Sequence, residues 1–307
     1  MESAAIDIGT NSVLLLVADT DNGKLRVIHE EQRLPRLGKG VDKDRTLSKD
    51  SIDRTIRVLL EYRTMLSKRY PAVDDRVYLT ATSAARDASN RKDFLEAAYK
   101  QTGWDVRLLS GEEEAELTYS GALSVIDTDP GKLYFVLDIG GGSTEFAIGN
   151  GNSLMSALSL DMGCVRFTER HLIGSPPDEN EIKAAGSEVR DMISGLDQIF
   201  EESEMVGVAG TVTALAGVVM NLGSYDATLM NGYRMTRQSI ERLTENFSKM
   251  RSEEIEKRYP LFMQGRGEVI LAGLIILTEV MKWSGHEELN VSTGGIQHGV
   301  IVEKHIK

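Results

Sequence analysis

Four places in this 307-residue chain bring an apolar run to its end in glycine and hydroxyl side chains: Gly9-Thr10-Asn11-Ser12, Gly140-Gly141-Gly142-Ser143-Thr144, Gly210-Thr211 and Ser292-Thr293-Gly294-Gly295. Glycine lets backbone N–H groups approach an anion closely and the hydroxyls add donors, so each is a candidate phosphate loop. One glycine at a strand end is ordinary turn chemistry. Four in one chain, two of them preceded by Asp at the matching position, point to phosphate. Those acids are Asp7 and Asp138. A carboxylate at the end of an apolar strand is costly to bury unless it is paired or holds a metal. Magnesium takes one or two carboxylates and leaves its other positions to phosphate oxygens and water. Asp7 and Asp138 are therefore the candidate metal ligands, the alternative being that each caps its own turn.

Glu112-Glu113-Glu114 reads as the opening of a helix. Acids there complement the macrodipole, and two of the three need do nothing more. One that faced a terminal phosphorus would orient and deprotonate water for in-line attack. Spacing does not choose among them. Glu145, directly after Ser143-Thr144, is a second carboxylate that can position water or metal. Arg86, in Thr82-Ser83-Ala84-Ala85-Arg86, and Arg166, in Gly163-Cys164-Val165-Arg166, have the planar side chain that clamps phosphate. Arg36, Lys39, Arg91, Lys92 and Arg266 read as solvated surface charges, of value only collectively.

An internal repeat must position these residues. Ala5-Ile6-Asp7-Ile8-Gly9-Thr10-Asn11-Ser12 aligns with Val136-Leu137-Asp138-Ile139-Gly140-Gly141-Gly142-Ser143 at an offset of 131 residues. Each copy is an apolar strand that turns through small polar residues into another strand, a hairpin with an acidic tip. Duplication predicts two similar lobes with the tips facing each other across a cleft. Strands and helices alternate between the copies, the pattern of an α/β protein. Ser48 and Asn90 read as helix N-caps, Gly111 opens the acidic helix, and a long helix runs to about Phe200. A strand ending at Ala209 leads through Gly210-Thr211 into a helix, an anion-cradling order. The turn Asp127-Thr128-Asp129-Pro130-Gly131 sets lobes of 1–127 and 128–307, with a closing helix over 296–307 that returns to the first lobe.

Thirty-five basic against 47 acidic residues give a net charge of −12, which excludes a nucleic-acid-coating surface. A polyanionic substrate then requires a bound cation or clustered arginines. The single cysteine, Cys164, forms no intramolecular disulfide and reads as a buried, inert thiol. The longest apolar run, Val269 to Leu277, is far short of the roughly 20 residues that span a bilayer. No signal-like segment precedes the first strand, which places the protein in the cytoplasm without a membrane partner.

As a set, AIDIGTNSV (from Ala5), TSAARDASN (from Thr82), SGEEEAEL (from Ser110), DIGGGSTEF (from Asp138), GCVR (from Gly163), GTVTA (from Gly210) and VSTGG (from Val291) resemble, in order, the exopolyphosphatase and guanosine pentaphosphate phosphohydrolase family. The resemblance covers nearly the whole chain. It implies the two-lobed fold of the acetate kinase, sugar kinase, Hsp70 and actin superfamily, magnesium or manganese dependence, and hydrolysis of a terminal phosphoanhydride of polyphosphate. It implies a homodimer. It selects Glu114 as general base, since the family's catalytic Glu directly precedes the Ala of this motif, with Glu145 assisting, Asp138 near the metal and Arg86 on phosphate. Asn231-Gly232 replaces the family's frequent His-Gly, and Glu268 its Asp. The nearest alternative is hydrolysis of guanosine pentaphosphate. An ATP-dependent kinase and a catalytically idle sensor are more distant ones.

Overall fold

A computed structural model describes residues 1–306 except 22, 74, 152 and 197–201. Its strands are β1 (Glu2–Ile8), β2 (Val13–Asp21), β3 (Lys24–Arg33), β4 (Val77–Ala81), β5 (Val106–Leu108), β6 (Leu133–Ile139), β7 (Thr144–Asn150), β8 (Ser153–Leu160), β9 (Ser203–Val208), β10 (Arg234–Thr236) and β11 (Glu288–Val291). They form two sheets, ordered β3-β2-β1-β4-β5 and β10-β11-β9-β6-β7-β8. In both, a central strand pairs antiparallel with the next strand and parallel with a later one: β1 with β2 and β4, β6 with β7 and β9. The second sheet is the first topology repeated, with β10 added antiparallel to β11. This duplicated α/β arrangement is the actin-like fold.

The chain divides into two compact units, one of Met1–Ser124 with Gly294–Lys307 and one of Val125–Thr293. The first unit thus takes back the end of the chain, the helix Ile296–His305.

In the first unit β1 is buried on both faces, as a central strand with parallel pairing must be. Ala4, Ile6 and Ile8 join Leu59, Leu66, Phe94 and Ala98 of the helices Lys49–Arg69 and Arg91–Thr102. Ala5 faces the other way, with Leu16, Leu117, Ile296, Val300 and Ile301. One sheet between two helical layers results. Ser48 accepts from the Ser51 N–H, an N-cap. Asn90 makes no capping bond. Its amide instead spans Leu47, accepting from the N–H at 2.8 Å and donating to the carbonyl at 2.9 Å, because a tertiary partner offers both a donor and an acceptor.

In the second unit Phe135, Leu137 and Ile139 of β6 sink into a core shared with the helix Ile270–Ser284. That helix carries the long apolar run and buries Ile270 to Thr278 throughout, the behaviour of a core helix. Among the described residues no helix is long and apolar enough to cross a membrane. The helix Glu179–Ile193 begins with a capping box at Asp178. Its expected continuation to Phe200 falls partly on 197–201, outside the described residues. The edge strand β8 and the short β10 carry too little apolar patterning to be read from sequence.

Candidate active-site residues in the two units

Both hairpin tips close in one way. The Gly9 N–H donates to the Ser12 carbonyl at 2.9 Å, and the Gly140 N–H to the Ser143 carbonyl at 3.0 Å. Each turn leaves three consecutive N–H groups, those of Thr10, Asn11 and Ser12 and of Gly141, Gly142 and Ser143, with no protein partner among the described residues. Amides left open in a tight turn form a concave donor set for an anion. In the second unit the turn is braced from behind. Cys164, Val165 and Arg166, opening the helix Cys164–His171, donate their N–H groups to the carbonyls of Gly140 and Gly141 at 2.8–3.1 Å. The Arg166 side chain is 5% exposed and its Nε donates to the Gly142 carbonyl at 2.7 Å. Arg166, expected to clamp phosphate, holds the loop that presents the amides. Thr144 is likewise fully buried, and its hydroxyl donates to the Met162 carbonyl.

Of the three acids opening the helix Gly111–Leu123, each has a different environment. Glu112 is exposed. Glu113 closes the capping box with Ser110 and pairs with Arg107 at 2.8 Å, and the Arg107 hydrogen bond, then the Ser110 N–H, hold its carboxyl below the usual range. Glu114 is 4% exposed, and its Oε2 accepts from Arg86 Nη1 at 2.6 Å. The same Nη1 donates to the Leu109 carbonyl at 3.1 Å. Arg86 closes the short helix Ser83–Asp87. The two motifs therefore meet in a buried ion pair within the first unit. Glu114's helix is seated by the chain's closing segment. A Cβ at Gly121 would lie 2.0 Å from the Gly295 carbonyl oxygen, and one at Gly299 2.0 Å from that of Leu117. Only glycine permits such contact. Gly295, expected to cradle phosphate, caps the closing helix, its N–H donating to His298 Nδ1 at 3.3 Å. The preceding Thr293 N–H donates to Asn231 Oδ1 at 2.7 Å, so both flanks of Gly294 are committed internally.

Asp7 is 6% exposed and its Oδ1 accepts from the Thr80 hydroxyl at 2.9 Å. Asp138 is 7% exposed and stands directly opposite Glu145, itself 2% exposed, across the β6–β7 ladder. Ser159 on β8 extends the row, donating to Glu145 Oε1 at 2.7 Å. Directly opposed carboxylates repel, and two that are buried call for a cation. The first unit has Leu14 opposite Asp7, so the carboxylate pair belongs to the second copy alone. Among the described residues no three His, Cys, Asp or Glu form a closed metal cage. One or two carboxylates with room for phosphate and water suit magnesium, so the donor set fits that ion.

Arg266 is the residue that sequence reasoning missed. It is half-buried rather than solvated, and a Cβ at Gly210 would meet its Nη1 at 2.2 Å. The guanidinium lies on the bare glycine where β9 passes into the helix Ala209–Val219, and the preceding Ala209 takes a left-handed φ of 63°. Strain of this kind collects at functional loops. Thr211 beside it is 4% exposed. The only sequence signal was Gly210 itself, since nothing in the chain order links it to position 266. Cys164 is buried and burial pushes its thiol up to about 11, so it is inert.

Fold and site chemistry together define an enzyme that hydrolyses phosphoanhydrides. The model of the Ppx/GppA phosphatase family matches residues 16–307. Exopolyphosphatase 2 of Mycobacterium tuberculosis is 34% identical, with 97% of this chain and 96% of that protein covered. A bifunctional 3-dehydroquinate synthase/phosphatase of Fusobacterium nucleatum is 31% identical over 98% of this chain, which spans 46% of that longer protein. The crystal structure of the Aquifex aeolicus Ppx/GppA family member has a TM-score of 0.83 at 33% identity, covering 99% of this chain and 97% of its own. An exopolyphosphatase-like protein matches with a TM-score of 0.90 at 28% identity, over 99% and 98% of the two chains. The chain belongs to the Ppx/GppA phosphatase family.

Proposed function

We propose that the protein is an exopolyphosphatase, releasing terminal orthophosphate from inorganic polyphosphate by attack of water. The observation that carries this reading is a buried Glu114–Arg86 pair in the unit whose hairpin tip presents open backbone amides, with a second such tip in the other unit. The amides bind the phosphoryl oxygens. Glu114 accepts the proton of the attacking water, and Arg86 offsets the charge that spreads over the transferring group. Glu145 orients water beside Asp138. Arg266 at Gly210 adds a further cation for phosphate oxygens. Asp138, and Asp7 at the matching position of the first unit, are the carboxylates that would hold magnesium or manganese, and the ion would supply positive charge to phosphate oxygens. Ser12 lies on the first of these tips, and Thr211 stands beside Gly210. The enzyme works in the cytoplasm as a homodimer, without nucleic acid or membrane.

The test is phosphate release from long polyphosphate, short polyphosphate and guanosine pentaphosphate by wild type and Glu114→Gln. The expected result is release from polymer that falls by about 10²–10⁴-fold in the variant. Release from the nucleotide alone would move the assignment to guanosine pentaphosphate hydrolysis. Release that persists at the wild-type rate in Glu114→Gln would reject Glu114 as the base.

A further inference from the structure

Ser159 stands on β8 directly opposite Glu145 of β7, which in turn stands directly opposite Asp138 of β6. Residues opposed in this way share one face of a sheet, so the three side chains form a row beside the hairpin tip. The first unit supplies a comparison. Its matching row is Asp7, Leu14 and Gln32, with leucine where the second unit has Glu145 and glutamine where it has Ser159. The serine therefore accompanies the copy that has a carboxylate in the middle of the row.

The half-buried Ser159 donates its hydroxyl to Glu145 Oε1 at 2.7 Å. Because β7 lies between β6 and β8, this bond draws the Glu145 head toward β8 and away from Asp138. Opposed carboxylates repel, and the hydroxyl fixes the direction in which one of them turns aside. The anchor is itself held. Directly after Ser159 the Leu160 carbonyl accepts from the Met162 N–H at 2.7 Å, and the Met162 carbonyl accepts from the Thr144 hydroxyl. A Cβ at Gly163 would lie 2.5 Å from the Gly141 carbonyl oxygen. The end of β8 is thus seated on the turn that presents the open amides of Gly141, Gly142 and Ser143. Resting on the polyphosphate reading above, we infer that Ser159 is a positioning residue, which fixes the Glu145 carboxylate so that it orients water at this tip. It acts through Glu145. Without the hydroxyl the Glu145 side chain is free to swing toward Asp138, and a group displaced by about 1 Å loses up to about 100-fold in rate. Polymer held by the backbone amides is bound as before, so the loss falls on kcat and spares KM.

The experiment measures kcat and KM on long polyphosphate for wild type, Ser159→Ala, Ser159→Thr, Glu145→Ala and the Ser159→Ala/Glu145→Ala double variant. Thermal midpoints are recorded for all five, and the kinetics are run well below each of them so that every chain is folded. Ser159→Ala should lower kcat about 10–100-fold and keep KM within about threefold. Ser159→Thr should recover most of kcat, since it keeps the hydroxyl and a β-branched residue suits a strand. In the Glu145→Ala background the Ser159→Ala change should alter kcat by less than about twofold, because the group it positions is already gone. An unchanged kcat in Ser159→Ala, a rise in KM alone, a Ser159→Thr variant as slow as Ser159→Ala, or an undiminished loss in the Glu145→Ala background would overturn the inference, while an active wild type left the exopolyphosphatase reading intact. A wild type that releases no phosphate from the polymer would overturn both.

Discussion

At the scale of single residues, the informative contact is the Glu114–Arg86 pair. Its carboxylate side chain is 5% exposed and its guanidinium 23%. A buried charge that loses its partner is costly, whereas loss of both charges can be nearly neutral. Arg86→Met is therefore expected to lower unfolding free energy by about 2–4 kcal/mol. Glu114→Gln should cost less, and the double variant should recover much of the Arg86→Met loss. Urea denaturation of the four proteins gives the coupling, expected at about 1–3 kcal/mol. A coupling of zero would mean that the two groups do not sense each other in the folded chain. The same reasoning separates the three acids of the motif: Glu113 spends its oxygens on a cap and on Arg107, and only Glu114 is buried against a cation.

At the scale of elements, the first unit depends on the closing helix Ile296–His305 lying against its sheet. That contact contains one buried and one partly buried ionisable group. His298 is fully buried, its Nε2 3.5 Å from Glu30 Oε1 on β3. Burial raises the Glu30 carboxyl from the usual 4.5 to about 7, and burial lowers the His298 imidazole from 6.5 to about 4. Each group prefers to be neutral in the folded chain, and the consequences for stability have opposite signs. The Glu30 contribution is complete below pH 4.5 and is lost as pH rises through about 7. That of His298 is complete above pH 6.5 and is lost as pH falls through about 4. They offset each other in wild type between those limits. Glu30→Gln should therefore lose stability on acidification from pH 6.5, and His298→Gln on alkalisation from pH 4.5. Unfolding free energies measured across this range would discard the argument if both variants ran parallel to wild type.

At the scale of the molecule, one topology occurs twice with different chemistry in each copy. The first unit carries the Glu114–Arg86 pair, the second the Asp138–Glu145 row and the Gly210–Arg266 contact. With a net charge of −12, neither backbone amides nor a few arginines offset a polyphosphate chain and two opposed carboxylates together. Chelation by EDTA is accordingly expected to reduce phosphate release at least about 100-fold. Magnesium should restore it in the millimolar range, with little change in thermal midpoint, because a site of one or two carboxylates binds the ion weakly without phosphate. Full activity in EDTA would reject the metal.

Local order in the chain was enough for the duplicated hairpins, since an apolar strand, an acid and a glycine turn repeat at fixed spacing. It was enough for the helix-opening acids as a group. These are short-range signals, written within a dozen residues. Which of the acids is buried, that Arg166 turns its Nε to the Gly142 carbonyl and Thr144 its hydroxyl to that of Met162, and that Asn90 binds Leu47 were decided by tertiary structure alone. So was the seat of Arg266 on Gly210. Each depends on a partner distant in sequence or on which way a side chain faces once packed. Hydrophobic periodicity orients a helix to its core, but it does not say which far-off carbonyl or glycine will meet a guanidinium.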